Sequence, residues 1–117
     1  MATAFDLARG LTKALRESEE GRRMRSLGAR VSRDGRLDRL LADFRKAQFA
    51  VQAAQLQSRQ PAREDVERVQ KLARAVEGEP LLQEYLAAEN AYGAILVEVQ
   101  KVLGEAFQPD VPGKVRY

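Results

Sequence analysis

The sequence predicts an all-α, multihelical fold of about five helices. Three observations carry that prediction. No stretch alternates apolar and polar residues with the period of two that a half-buried strand needs. Capping and turn residues divide the chain into helix-length segments. The segment from Pro80 to Phe107 holds an apolar arc at helical spacing along its whole length. At 117 residues, with 44% hydrophobic and 32% charged side chains, the chain is long enough for one core and too apolar for a disordered segment. Residues 1–107 are expected to form a single helical domain. Residues 108–117 (QPDVPGKVRY), with two prolines and a glycine, are expected to be an extended tail.

A first helix is expected over about residues 3–17. Ser18, ahead of Glu19 and Glu20, reads as the N-cap of a second helix. A serine oxygen accepts from free N–H groups of the first turn, and carboxylates there meet the positive end of the helix dipole. That helix ends near Val31. Arg33-Asp34-Gly35 reads as a turn from which Asp34 caps a long third helix, about residues 36–58. Pro61 suits the first turn of a fourth helix and Gly78 its exit. Pro80 suits the first turn of a fifth, about residues 80–107.

In the fifth helix Leu81, Leu82, Tyr85, Ala88, Tyr92, Ile95, Leu96, Val99, Val102, Leu103, Ala106 and Phe107 fall on one arc of roughly 160°, which Leu86 and Val97 widen. A rod of roughly 40 Å overshoots a compact monomer of this length, about 35 Å across. A second chain covers such an arc most simply, giving a homodimer or higher oligomer; the alternative is that the shorter helices wrap it completely. Residues 43–57 (DFRKAQFAVQAAQLQ) carry apolar, alanine and glutamine positions and no reactive group, a surface suited to another helix. Phe44, Gln48, Val51 and Gln55 share a stripe, whereas Phe49 and Leu56 project about 100° or more away, so one face can serve the core and the other a partner. Gln48 and Gln55 either fix register in a helix pair or lie at its wet edge. Phe44, Gln48, Phe49, Val51, Gln55, Leu56, Leu86 and Val97 are the candidate self-interface. Leu40-Leu41 to Phe44 echoes Leu81-Leu82 to Tyr85, so the two long helices could pack as an antiparallel hairpin. Similar demands on helix starts explain the echo equally well.

Charge is uneven. Residues 1–46 carry a net +5 and residues 47–117 a net −2. Arg22, Arg23, Arg25, Arg30, Arg33, Arg36 and Arg39 form a candidate basic surface for an acidic protein partner or, alternatively, RNA. The aromatic interleaving that stacks single-stranded bases is missing, and no helix-turn-helix or glycine-rich phosphate loop is present. With no histidine and no cysteine, the commonest general base, metal ligand and sulfur nucleophile are all missing. Glu64, Asp65, Glu67 and Arg68 read as surface electrostatics, and Tyr85 and Tyr92, one heptad apart, as packing residues. Neither an enzyme nor a cofactor is expected. The start of the chain does not read as a signal peptide and no segment reads as a membrane span; cysteine-free composition fits the reducing cytoplasm.

AFDLARGLTKALRESEEGRRM, LLADFRKAQFAVQAAQLQ and PLLQEYLAAENAYGAILVEVQKVLGEAF together resemble the small bacterial family that includes the YlbF, YmcA and YheA proteins, over about residues 4–107. The resemblance implies an all-helical, cytoplasmic, oligomeric protein. Some members regulate competence, sporulation and biofilm formation by forming a complex that directs a membrane-anchored ribonuclease in mRNA processing. Cysteines hold iron–sulfur clusters in some of them. This chain has no cysteine, which puts a cluster out of reach, weakens transfer of the complex-forming role and sets the chain nearer the YheA-like branch. The implied role is that of a non-catalytic regulator or adaptor acting through protein–protein interaction, with small RNA-binding protein as the alternative.

Overall fold

The computed structural model describes residues 1–108, so the expected tail falls outside the described residues apart from Gln108. Five α-helices follow one another, and no strand occurs among the described residues: α1 (Ala4–Glu17), α2 (Glu19–Arg33), α3 (Gly35–Leu56), α4 (Arg63–Glu77) and α5 (Pro80–Gly104), the last tightening into a 3-10 turn, Glu105–Phe107.

Local chemistry fixes the boundaries. Thr3 and Asp6 form a reciprocal capping box at the start of α1. Ser18 alone separates α1 from α2, its Oγ accepting from the Gly21 amide at 3.1 Å. Asp34 Oδ1 accepts from the amides of Arg36 and Leu37, both at 3.1 Å. The third helix stops at Leu56, short of the expected residue 58, because Ser58 takes a left-handed φ of 55°. From there the Arg59 amide reaches back to the Ala54 carbonyl at 2.8 Å. Pro61 precedes α4 instead of sitting in its first turn, and Ala62 at the N-cap offers no side-chain acceptor. Pro80 opens α5 as expected, since its missing N–H would have had no partner there.

The core lies where four helices meet. Val31 of α2, Leu37 and Leu41 of α3, Val76 of α4 and the wholly buried Leu82 of α5 form one cluster, with Leu40, Phe44, Leu81, Tyr85 and Leu86 packed around it. The helices pair as two arms. In one, α4 folds back along α3, with Ala47 and Ala54 buried in the contact. The small residues that invite a close helix are therefore used first within the chain. In the other arm α2 runs antiparallel to α5: Val31 meets Leu82, Gly28 lies under Tyr85, and Gly21 lies under Tyr92. The heptad Gly21/Gly28 faces the heptad Tyr85/Tyr92. A Cβ on either glycine would stand 3.1 Å from the facing ring, so glycine lets the rings lie against the helix backbone.

The arrangement of the long helices differs from the expected antiparallel hairpin. Arg36 of α3 pairs with Glu79 at the start of α5, and Arg45, further along α3, with Glu89, further along α5. The two helices therefore run in the same direction, as they must when α4 returns the chain between them. Helix α2, not α3, is the main companion of α5.

Candidate functional site

The molecule is elongated and thin. Its principal extents are 54 × 37 × 21 Å and its radius of gyration is 19.2 Å, against about 13 Å for a compact domain of this length. The accessible surface is 9339 Å², whereas a compact monomer of this mass exposes about 6,400 Å². Even fully extended, the residues beyond Gln108 would add only about 1,400 Å². About 1,500 Å² of excess surface per chain remains, above the roughly 800 Å² per partner that a standard interface buries.

Much of that surface is apolar. Burial along the α5 arc declines steadily: Leu82 is fully enclosed, Tyr85, Tyr92, Ile95, Leu96 and Val99 are half-buried, and Val102, Leu103 and Phe107 are exposed. The shorter helices wrap only the first part of the arc. The candidate self-interface residues divide accordingly. Phe44 and Leu86 are half-buried and packed on the protomer's own core, which gives them a structural task already. Gln48 and Val51 are half-buried and Gln55 is exposed. Phe49 (70% exposed), Leu56 (87%) and Val97 stand out from the surface. Phe5, Leu7, Val102, Leu103 and Phe107 are likewise exposed; the last three belong to the arc for which a second chain was expected, whereas Phe5 and Leu7 were not singled out. The sequence signal for Leu7 is the apolar stripe of the first helix, and that for Val102, Leu103 and Phe107 is the end of the apolar arc of the fifth.

All seven candidate arginines are exposed. Arg22, Arg23, Arg25, Arg30 and Arg33 are spread round the side of α2 opposite Leu27 and Val31, over roughly 160° of the helix, so they make a broad field and not a stripe. Two are engaged within the protomer: Arg25 Nη2 donates to the Arg16 carbonyl at 2.7 Å, and Arg36 pairs with Glu79. The hydrogen bond from Arg36 lowers the Glu79 pKa and raises that of Arg36. Arg45 donates to Glu89 at 2.7 Å, which raises the Arg45 pKa against the opposing effect of burial. Beside them burial, and secondarily the Glu89 carboxylate, raises the Tyr85 phenol. These pairs tie the two arms together.

A shallow groove of about 600 Å³ between α3 and α4 is lined by charges of both signs, Asp43, Lys46, Glu64, Glu67, Arg68 and Lys71, over Ala47, Ala50 and Leu72. Opposite charges interleave there, and an enclosed apolar floor that would desolvate a ligand is missing. Among the described residues no group of three or more acidic side chains is placed to hold a metal ion, and no helix is long and apolar enough to cross a membrane.

Broad helical faces, apolar on α1, α3 and α5 and basic on α2, therefore distinguish this all-helical chain more than any cleft does. Residues 4–108 match the family described as control of competence regulator ComK, YlbF/YmcA, and the chain belongs to that family, whose description is a regulatory one. It is 31% identical over 108 residues to a UPF0342 protein of Symbiobacterium thermophilum, covering 92% of this chain and 96% of that one. It is 30% identical over 106 residues to a UPF0342 protein of Caldicellulosiruptor saccharolyticus, covering 91% and 88%. It is 28% identical over 108 residues to one of Caldicellulosiruptor bescii, covering 92% and 91%. None of these names denotes an enzymatic reaction.

Proposed function

We propose that the protein is a non-catalytic regulatory adaptor of the cytoplasm that works through protein–protein contacts, beginning with a second copy of itself. The observation that carries this reading is the uncovered apolar surface: Phe49, Leu56, Val97 and the end of α5 project from a chain whose surface far exceeds that of a compact monomer. Exposed apolar area on this scale marks an interaction site. The family's description as control of a competence regulator supports the direction of the reading; a place in competence, sporulation or biofilm control through mRNA processing is the finer form that the resemblance implies.

The test is co-expression of tagged and untagged chains. Capture of the untagged copy should be lost with Phe49→Glu or Leu56→Glu and retained with Arg63→Glu on the charged outer face of α4. Both apolar residues are exposed in the protomer, so their replacement should leave its fold intact. Burying about 140 Å² of Phe49 contributes up to about 3.5 kcal/mol at 25 cal/mol/Å². Ordering costs reduce the net to about 2 kcal/mol per site. A symmetric dimer uses the site twice, so Kd should rise about a thousandfold. Unchanged capture with both variants would remove α3 from the interface. For regulation, cells lacking the chain and cells carrying the interface variants should show the same altered transcripts; identical transcript profiles in all strains would refute it.

A second reading, RNA binding by the arginine field, has the exposure of all seven side chains in its favour. It requires binding to single-stranded RNA that weakens steeply with added salt. The adaptor reading requires no detectable binding even at low salt.

A further inference from the structure

We infer that a shallow notch between α1 and α2 takes an acidic segment of a partner protein. This rests on the adaptor role proposed above and names the chemistry of the partner that the adaptor holds beside its second copy.

The notch, of about 340 Å³, is lined by Arg9, Thr12, Lys13, Arg16 and Glu17 of α1 and by Arg25 of α2. Spacings of four and three residues set Arg9, Lys13 and Arg16 within roughly 60° of one another, on the side of α1 opposite Leu7, Leu11 and Leu15. Helix α1 is therefore apolar on one face and basic on the other. Of the seven arginines expected to form a basic surface only Arg25 lines the notch, and it does so because the corner between the two helices is locked. Ser18 Oγ donates to the Leu15 carbonyl at 2.6 Å and accepts from the Gly21 amide. The Leu15 and Arg16 carbonyl oxygens press so closely on Gly21 that a Cβ there would collide with the first and lie 2.9 Å from the second. Arg25 Nη2 donates to the Arg16 carbonyl at 2.7 Å, which holds the guanidinium beside α1 before any ligand arrives.

Four basic side chains thus line the notch with one carboxylate, Glu17. Little within the chain offsets them. The bond from Arg25 goes to a neutral carbonyl, which leaves its charge and its remaining N–H donors for a ligand. Arg9 has Asp6 as a partner, but at 3.5 Å with both side chains more than half exposed, a pair that a competing anion displaces readily. Lys13 and Arg16 form no ion pair among the described residues. Lys13 stands one turn from each of Arg9 and Arg16, a spacing at which like charges destabilise a helix; anions that bridge them relieve the repulsion. The form of the notch favours peptide carboxylates over the phosphates of a nucleic-acid strand. No aromatic side chain lines it, so a base finds nothing to stack on. Glu17 can accept from a peptide N–H, whereas phosphate oxygens are acceptors only. Arg9 to Arg16 runs about 10 Å, the length of roughly three extended residues, which suits two or three carboxylates and not a long backbone track. The notch shares no residue with the apolar surfaces of α3 and α5, so an acidic segment and a second copy do not compete for the same side chains.

The probe is a fluorescein-labelled oligoglutamate peptide about six residues long, which spans roughly 20 Å when extended and so overreaches the notch. Its binding to the full chain is followed by fluorescence anisotropy at low salt, with the light-scattering mass recorded alongside. Lys13→Gln combined with Arg16→Gln, both exposed, should raise Kd about tenfold, the loss of two exposed charge pairs, with helix content by circular dichroism unchanged. Arg23→Gln combined with Arg30→Gln removes the same charge roughly 150° round α2 from Arg25 and should leave Kd nearly unchanged. Equal weakening by the two double variants would overturn the notch, by showing attraction to net charge alone. A wild-type dimer that binds no peptide would also overturn it and leave self-association standing. Tighter binding of an oligouridylate of the same length, lost with the Lys13/Arg16 variant, would overturn the acidic partner in favour of RNA, and the adaptor reading with it. Peptide binding that depends on Lys13 and Arg16 in a chain that is monomeric at every concentration would support the notch and overturn self-association alone.

Discussion

Replacing Gly21 by alanine probes the corner on which the placement of α1 depends. Alanine normally stabilises an exposed helix interior by about 1 kcal/mol over glycine. Gly10, in α1, should show that gain because a Cβ there meets nothing within 4 Å. At Gly21 the same methyl group would collide with the Leu15 carbonyl and crowd that of Arg16, both backbone atoms held by hydrogen bonds, as well as the Tyr92 ring. Overpacking of this kind costs about 1–3 kcal/mol, and backbone cannot swing aside as a side chain can, so the upper part of that range applies. After the propensity gain, Gly21→Ala should destabilise by about 1–2 kcal/mol, lowering Tm by roughly 3–10 °C for a chain of this size. Gly10→Ala should be neutral or stabilising. Thermal unfolding at one fixed protein concentration is the assay, because linkage to assembly makes Tm depend on concentration. Equal stability of the two variants would refute the close corner, and with it the locked direction of α1.

Three further outcomes follow from the fold. Leu82→Ala, at the fully buried centre of the four-helix junction, should cost about 3–4 kcal/mol in denaturant unfolding; a loss under about 1 kcal/mol would show that the junction is not the core. Ser58→Gly relieves the left-handed φ at the end of α3 and should stabilise by about 0.5–1 kcal/mol, a shift visible in the urea midpoint. Glu79 is held below its ordinary value of 4.5 by the hydrogen bond from Arg36, so its contribution is present above that value and is lost as pH falls through the lower folded value. The stability difference between wild type and Glu79→Gln should therefore be small at neutral pH, as for any exposed pair, and vanish in acid; a difference that grows toward acid would contradict the pairing.

Features written in neighbouring residues were legible in the sequence. Ser18 and Asp34 each accept from amides within three positions, and Pro80 lacks only an N–H that would have had no partner there, so their roles as helix starts follow from the chain alone. The apolar arc of α5 was equally plain, because helical periodicity is a local property. Which helix covers it was not. The arc allows several companions, and the choice of α2 turns on Gly21 and Gly28 matching Tyr85 and Tyr92, a pairing of two heptads separated by most of the chain. Both spacings are visible in the sequence, but only their juxtaposition gives them meaning. The direction of α3 relative to α5 was misread for a related reason. The echo of their opening segments reflects shared demands at helix starts, whereas α4, by folding back along α3, makes them parallel. Of the candidate surface, the outward projection of Phe49 and Leu56 followed from their angle on the helix. The exposure of Phe5 and Leu7 depends on where the corner at Ser18 aims α1, and that of Phe107 on where α2 stops covering α5, neither of which a local pattern records.

Self-association through apolar helix faces is tested most directly by the absolute mass in solution, measured by light scattering over a wide range of protein and salt concentrations. A mass of two or more chains that persists at high salt is expected, since burial of apolar surface is not screened. A mass of one chain, 13.1 kDa, at every concentration would contradict it.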